Sequence, residues 1–258
     1  GKDPAPLPPR EVAQRLVRLV SVSSVADLAC LEEMMGALVA EKEKPKIKKP
    51  VFDELWSVVT AQPQRQAFRA AALHAIAMGA VAEPQLVDND RCLKVILNVA
   101  LRVQAMQERE WHTVRAACVA LQRCQRVAGR NRARRKVLDS ILTRLCRFLR
   151  GDWCLVPPAT TGGEAAADVG AVLESDVQVW FGAAEQAIAA VFHLSQQPEV
   201  QTAGVICHLS AAALSGPSAD AWALSRLCFT VGHVALKLLV YSEDVGGQLQ
   251  RARANATK

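Results

Sequence analysis

Aromatic residues make up only 5% of this 258-residue chain, with one tyrosine and six phenylalanines. Strands draw on aromatic and β-branched side chains in period-two patterns, and that signal is nearly absent, so a sheet is excluded as the main organisation. The eight cysteines, at 30, 92, 118, 124, 146, 154, 207 and 228, include no C-x-x-C pair, which removes the common zinc and redox motifs. Most fall on apolar helical positions and read as small core residues of a reducing compartment. Cys207 and His208 are adjacent, but neighbours on a helix point about 100° apart and cannot readily chelate one ion. There is no P-loop, no HExxH, no GxSxG and no Rossmann glycine pattern, and His74, His112, His193 and His233 sit in helical segments without a triad arrangement. No catalytic residue, cofactor site, metal ligand or small-molecule substrate is expected.

Other signals are missing too. The chain starts at Gly1 and has no charged-then-apolar leader before Pro4, so it reads as a segment of a longer protein. The longest apolar run, Ala221 to Tyr241, contains Arg226, His233 and Lys237. These three share one helical face, so the run predicts an amphipathic helix of a soluble protein rather than a membrane span.

What is present is alanine-rich and 51% hydrophobic, a mix that favours helix because alanine loses no side-chain entropy on helix formation. The clearest unit runs from Ser175 to Leu214. Ser175 with Gln178 forms a capping-box pattern, and Trp180, Ala184, Ala187, Ile188 and Val191 follow on one stripe until Pro198 ends the helix. Pro198 also suits the first position of a second helix, with Val200, Ala203, Cys207, Ala211 and Leu214 on one face and Gly216-Pro217 as the stop. Such a hairpin cannot bury its stripe alone and requires stacked neighbours.

The same unit recurs along the chain. Helices are predicted over Glu11 to Val22, then from a Ser24–Asp27 cap through Leu28, Leu31, Met35, Leu38 and Val39. A lysine-rich loop at 41–50 leads to Val51 to Thr60 and Gln64 to Val81, divided by Pro63. Asp88-Asn89-Asp90 caps a third pair, Arg91 to Gln104 and Glu108 to Val127. A basic turn then opens a helix with Leu138, Ile141, Leu142, Leu145 and Leu149 inside. Prolines and glycines between 151 and 174 predict a long mobile loop interrupting that pair. The last helix starts at Ser218, with Leu224, Leu227, Cys228, Val231, Ala235 and Leu238 inward. Pair starts near 11, 51, 88 and 132 give a spacing of about 40 residues, the HEAT or armadillo range. The fold class is therefore all-α, an α-solenoid of about five HEAT-type helical hairpins across 1–258 as a single segment, with a compact helical bundle as the alternative.

Charge is uneven. The stretch from Arg102 to Arg150 holds thirteen Lys/Arg and three Asp/Glu, whereas Gly151 to Lys258 holds five and ten. Arg126, Arg130, Arg132, Arg134, Arg135 and Lys136 cluster at a turn between helices, which suits sequence-independent contact with a nucleic-acid backbone; a solvated turn and a nuclear import signal use the same residue types. No base-reading module accompanies the cluster. Trp153, in the long loop, is a candidate anchor for a protein partner.

Several ordered blocks carry a family resemblance. REVAQRLVRLVSVSSVADLACLEEMMGALV followed by FDELW, then VWFGAAEQAIAAVFHLSQQPEV, then LSRLCFTVGHVALKLLVYSEDVGGQL resemble, in order and separation, segments of the condensin complex subunit 1 family. The resemblance spans most of Arg10 to Arg253 and fades between about 131 and 175. It implies an internal segment of a HEAT-repeat, non-SMC condensin subunit without catalytic activity. It implies SMC ATPase and kleisin partners, double-stranded DNA bound without sequence specificity, no membrane, and a place in the nucleus and on mitotic chromosomes with room for a cytoplasmic pool. A nuclear-transport or other adaptor solenoid that carries protein cargo without touching DNA is the competing expectation.

Overall fold

A computed structural model describes residues 7–41, 46–61, 65–125, 132–151, 166–214 and 221–256. Among the described residues there is no strand, and eleven α-helices follow one another: α1 (Pro9–Val22), α2 (Val25–Ala40), α3 (Lys49–Thr60), α4 (Gln66–Gly79), α5 (Asp90–Val95), α6 (Val103–Gln107), α7 (Trp111–Leu121), α8 (Arg132–Arg150), α9 (Ala166–Leu194), α10 (Pro198–Leu214) and α11 (Ala221–Ala256). They pack as an all-α solenoid. One layer holds α1, α3, α5, α8 and α10. The other runs α2, α4, α7, α9 and α11, with α4 against α7, α7 against α9 and α9 against α11.

Local chemistry explains several boundaries. The Ser24–Asp27 cap forms as a full capping box: the Ser24 hydroxyl accepts from the Asp27 amide and the Asp27 carboxylate accepts from the Ser24 amide. Asn89 caps α5 by accepting from the Cys92 amide at 2.9 Å. Gly79 at the end of α4 lies against the Phe52 ring of α3, where an added Cβ would come within 2.4 Å of ring carbons. Close helix approach therefore fixes that glycine.

The core is continuous from Ala13 to Val234. Its largest members form an aromatic chain across neighbouring helices: Trp111 to Phe148 at 5.6 Å between centroids, Phe148 to Trp180 at 5.8 Å, and Trp180 to Trp222 at 5.4 Å. Such pairs add roughly 0.5–1.5 kcal/mol each beyond area burial.

Four expectations need correction. The predicted helix Arg91 to Gln104 is broken: α5 gives way to a π-turn over Ile96–Ala100, and α6 begins at Val103. The Leu101 amide reaches the Ile96 carbonyl five residues back, and Leu101 is thereby buried. The turn after α6 delivers Glu110 to Arg69 of α4, a buried ion pair at 2.8 Å that Arg102 joins at 3.3 Å. That demand overrides the local helical pattern.

Second, Ser175 does not start a helix, because α9 already runs from Ala166 through it; Ala166, Ala167, Val169, Val172 and Leu173 offer nothing that would stop a helix. Residues 166–174 of the expected 151–174 loop are therefore helical, and 152–165 lie outside the described residues. Third, α9 and α10 meet only sparsely: α9 pairs with α8 and α10 with α11, so the Ser175 to Leu214 segment joins two pairs across a short turn at Ser195–Gln197.

Fourth, the last pair is turned from expectation: α10 faces the opposite way, and α11 is rotated, with Leu227 and Leu238 packed partly buried on the core as expected. On α10, Pro198, Thr202, Val205, Leu209 and Ala213 are buried while Val200, Ala203, Cys207, Ala211 and Leu214 are exposed. On α11, Ala223, Arg226, Thr230 and Val234 are buried while Leu224, Cys228, Val231 and Ala235 are exposed. Arg226 is drawn inward because its guanidinium lies against Gly151, the positive-φ residue that ends α8, and over the Trp222 ring at 5.5 Å. A cation at the carbonyl end of a helix is favoured by the helix dipole. By length and composition α11 could cross a membrane, but its buried arginine serves a helix junction.

Candidate nucleic-acid interface

Helix α8 organises the cationic surface. Its inward side is set by Leu138, Ile141, Leu145 and Leu149, all buried, at the three- and four-residue spacing of one helical stripe. At 100° per residue the opposite side collects Arg132, Lys136, Thr143 and Arg147, with Arg135 and Asp139 flanking it. All six are exposed. From Arg132 to Arg147 the stripe extends about 22 Å along the helix at 1.5 Å per residue, roughly six base pairs of duplex at 3.4 Å each.

The cluster expected at a turn is therefore distributed over a helix. Arg132, Arg134, Arg135 and Lys136 form the first turns of α8, where no acidic residue accompanies them. Four cations at the positive end of a helix dipole repel one another and the dipole, and the fold relieves part of this: Arg134 turns inward and ion-pairs with Asp88, next to the cap of α5. Its side chain is 18% exposed, so of the expected anion contacts Arg134 already holds a carboxylate. The geometry was readable, since Arg134 precedes Ile141 by seven residues and so lies on the inward stripe. Arg126, Arg130 and Trp153 lie outside the described residues.

Neighbouring helices extend the same charge. Arg91 and Lys94 are exposed on α5, which packs beside α8. In the whole layer of α1, α3, α5, α8 and α10 thirteen Lys/Arg stand against six Asp/Glu. On the other layer α2 carries Asp27, Glu32 and Glu33 and no cation; Glu32 takes Arg123, which follows α7, in a two-oxygen contact at 2.7 Å. The cationic layer was missed in the sequence because its members lie about 40 residues apart, one repeat each.

Other titratable groups are tied to packing. His74 on α4 is held neutral, its pKa lowered to about 4 by burial, with the Arg115 and His112 charges on α7 adding to the shift. Burial likewise raises the Cys118 thiol out of the reactive range. Among the described residues no group of His, Cys, Asp and Glu could hold a metal ion. A polar groove of about 950 Å³ lies between α3 and α5, lined by Lys49, Asp53, Trp56, Glu83, Asp88 and Arg91 among others. Its mixed charges present no convergent set of catalytic groups.

No protein-family model matches this chain. Among curated proteins it is 23% identical, over 275 aligned residues, to condensin complex subunit 1 of Saccharomyces cerevisiae, an alignment covering 95% of this chain. The chain is a distant relative of that subunit. It spans about a fifth of the relative's length, 21%. The match runs across helices of both layers rather than being confined to one segment.

Proposed function

We propose that this chain is one non-catalytic HEAT-type scaffold segment of a condensin-like complex, acting in the nucleus and on mitotic chromosomes. In this reading its protein surfaces engage SMC ATPase and kleisin partners, and the outward face of α8 holds the backbone of double-stranded DNA without reading sequence. The observation that carries the DNA contact is the exposed row of Arg132, Lys136 and Arg147, flanked by Arg135, on one rigid helix. A regular row of cations on a helix side can sit along phosphates, and nothing beside it offers the paired donors and acceptors that distinguish bases. Arg126 and Arg130, just ahead of α8 in sequence, belong to the same proposed contact set, and Trp153 is the proposed apolar anchor for a protein partner.

The test is a salt series on the chain and on a variant with Arg132→Glu, Arg135→Glu and Lys136→Glu. Weakened binding to unrelated duplexes alike is expected, with the slope of log affinity against log salt shallower by about 0.9 for each phosphate that is no longer neutralised. Thermal unfolding should be unchanged, because these side chains lie off the buried stripe. Equal affinity and slope in the two proteins would remove DNA from this face and leave the adaptor reading.

A further inference from the structure

The two flanks of α8 differ in the polar groups beside them. On the α5 side the charge of the outward row is continued by Arg91 and Lys94. On the other side α8 packs against α9 and α10, and α10 carries no lysine or arginine. Glutamines stand there instead: Gln196 and Gln197 in the turn between α9 and α10, and Gln201 at the start of α10, all exposed. The three share a depression of about 310 Å³ with Ser195, Arg135 and Asp139, over buried leucines of α8 and α9. Arg135 thus belongs both to the flank of the outward row and to this depression.

Two contacts hold the glutamines in place. The Ser195 hydroxyl accepts from the Gln197 backbone amide at 3.1 Å, which sets the turn. The Cys146 thiol of α8, itself buried, donates to Gln201 Oε1 at 3.7 Å. With that acceptor engaged, Gln201 presents its Nε2 amino group, a donor only. Donors beside an arginine suit phosphate oxygens, which only accept, and glutamine is among the side chains that contact the backbone of duplexes. The leucine floor suits the carbon face of the adjoining sugar. Of the residues lining the depression only Asp139 is acidic; Glu199, close by in sequence, lines a separate depression against α11.

We infer that this depression is an uncharged arm of the DNA contact, in which the side-chain amino groups of Gln196, Gln197 and Gln201 donate to a backbone phosphate that Arg135 also touches. The inference rests on the DNA reading of α8 and adds a contact of a different physical kind. A lysine or arginine on a phosphate releases a condensed counterion, so its contribution weakens as salt rises. A carboxamide releases none, so its contribution is the same at every salt concentration. Asp139, four residues after Arg135, opposes the phosphate and limits how tightly the arm holds.

The experiment is a salt series on the full 258-residue chain with two duplexes of unrelated sequence. It compares wild type, a variant with Gln196→Ala, Gln197→Ala and Gln201→Ala, and Asp139→Asn. The glutamine variant should bind about five- to tenfold more weakly, the loss expected for one or two hydrogen bonds. The factor should be the same on both duplexes and at each salt concentration, so that the slope of log affinity against log salt equals that of wild type. Asp139→Asn should bind both duplexes more tightly, by about two- to fivefold, because one exposed opposing charge is removed. Equal affinity of the glutamine variant and wild type would leave the turn solvated and overturn the arm. A shallower slope in that variant would mean disturbed cations on α8 rather than a lost neutral contact, and a loss confined to one duplex would mean base reading; either result overturns it. Weaker binding by Asp139→Asn would make the carboxylate a partner of the ligand and overturn the phosphate. The charge-reversed Arg132→Glu, Arg135→Glu and Lys136→Glu variant separates the two levels: if it binds as wild type does, the DNA reading fails as a whole, and if it is weakened while the glutamine variant is not, the arm alone fails. Thermal unfolding should be unchanged in the glutamine and Asp139 variants, whose altered side chains are all exposed, and misfolding could not tighten binding in Asp139→Asn.

Discussion

α8 and α10 are neighbours in the same layer, and their buried sides are alike while their outer sides are opposites. Each presents an aliphatic row to the core, Leu138, Ile141 and Leu145 on α8 and Val205, Leu209 and Ala213 on α10. Beyond that row α8 turns cations to solvent and α10 turns valine, cysteine and leucine. The inward row is what any helix of this stack must have, and it says little about role. The outward row is free of that constraint, so the two helices can differ there, cationic on α8 and apolar on α10.

The comparison is sharpened first where the effect is largest. Leu145→Ala and Leu209→Ala should each cost about 2–5 kcal/mol, because each removes a fully buried leucine and the packed surroundings close the cavity only in part. Ile188→Ala on α9, equally buried, belongs to the same range. The outward Leu214→Ala should cost less than about 0.5 kcal/mol in the isolated chain. Urea unfolding of the four variants checks all of these, and a costly Leu214→Ala would mean that the outer side of α10 already has a contact.

The comparison of outer faces has to be made above pH 6.5, because the core brings its own titration. His74 is neutral in the fold with its pKa lowered from 6.5 to about 4. Between those values the unfolded chain binds more protons than the folded one, so the stability this group contributes is complete above pH 6.5 and is lost as pH falls towards 4. The linked loss is about 3 kcal/mol, from 1.36 kcal/mol for each pH unit. His74→Phe should flatten that part of a stability-against-pH curve, measured by urea unfolding at successive pH values. A curve identical to wild type would place the acid sensitivity elsewhere.

The repeat, the helical class and most inward rows were legible in the sequence because they depend on periodicity, which is local. The Ser24–Asp27 box and the Pro198 start were legible for the same reason. What was hidden depends on partners distant in the chain. Nothing near Arg102 announces that Glu110 must reach Arg69, 41 residues away, and that contact accompanies the break in the first helix of the predicted third pair. On α10 and α11 the periodicity found real apolar rows, but each helix has two usable sides, and only the Arg226 junction with the end of α8 decides which one turns in. The candidate site was legible as a charge density, and of its six cations the four described resolve into Arg132, Arg135 and Lys136, exposed on α8, and Arg134, which turns away.

That arginine gives the smallest and most local test. Arg134 and Asp88 are 18% and 11% exposed, so removing one partner leaves the other poorly solvated, and Arg134→Ala should cost about 1–2 kcal/mol. Arg135→Ala, one residue on and exposed, should cost less than about 0.5 kcal/mol. On DNA the order should reverse. Arg135→Ala should make the salt slope shallower by up to about 0.9, and Arg134→Ala should leave it unchanged, because an arginine already holding a carboxylate releases no phosphate counterion. Adding Asp88→Ala to Arg134→Ala should cost little more, since the pair is already broken, whereas adding it to Arg135→Ala should cost the full amount. If Arg134→Ala instead shifted the salt slope while leaving stability intact, the inward and outward sides of α8 would not be separate, and the contrast with α10 would lose its basis.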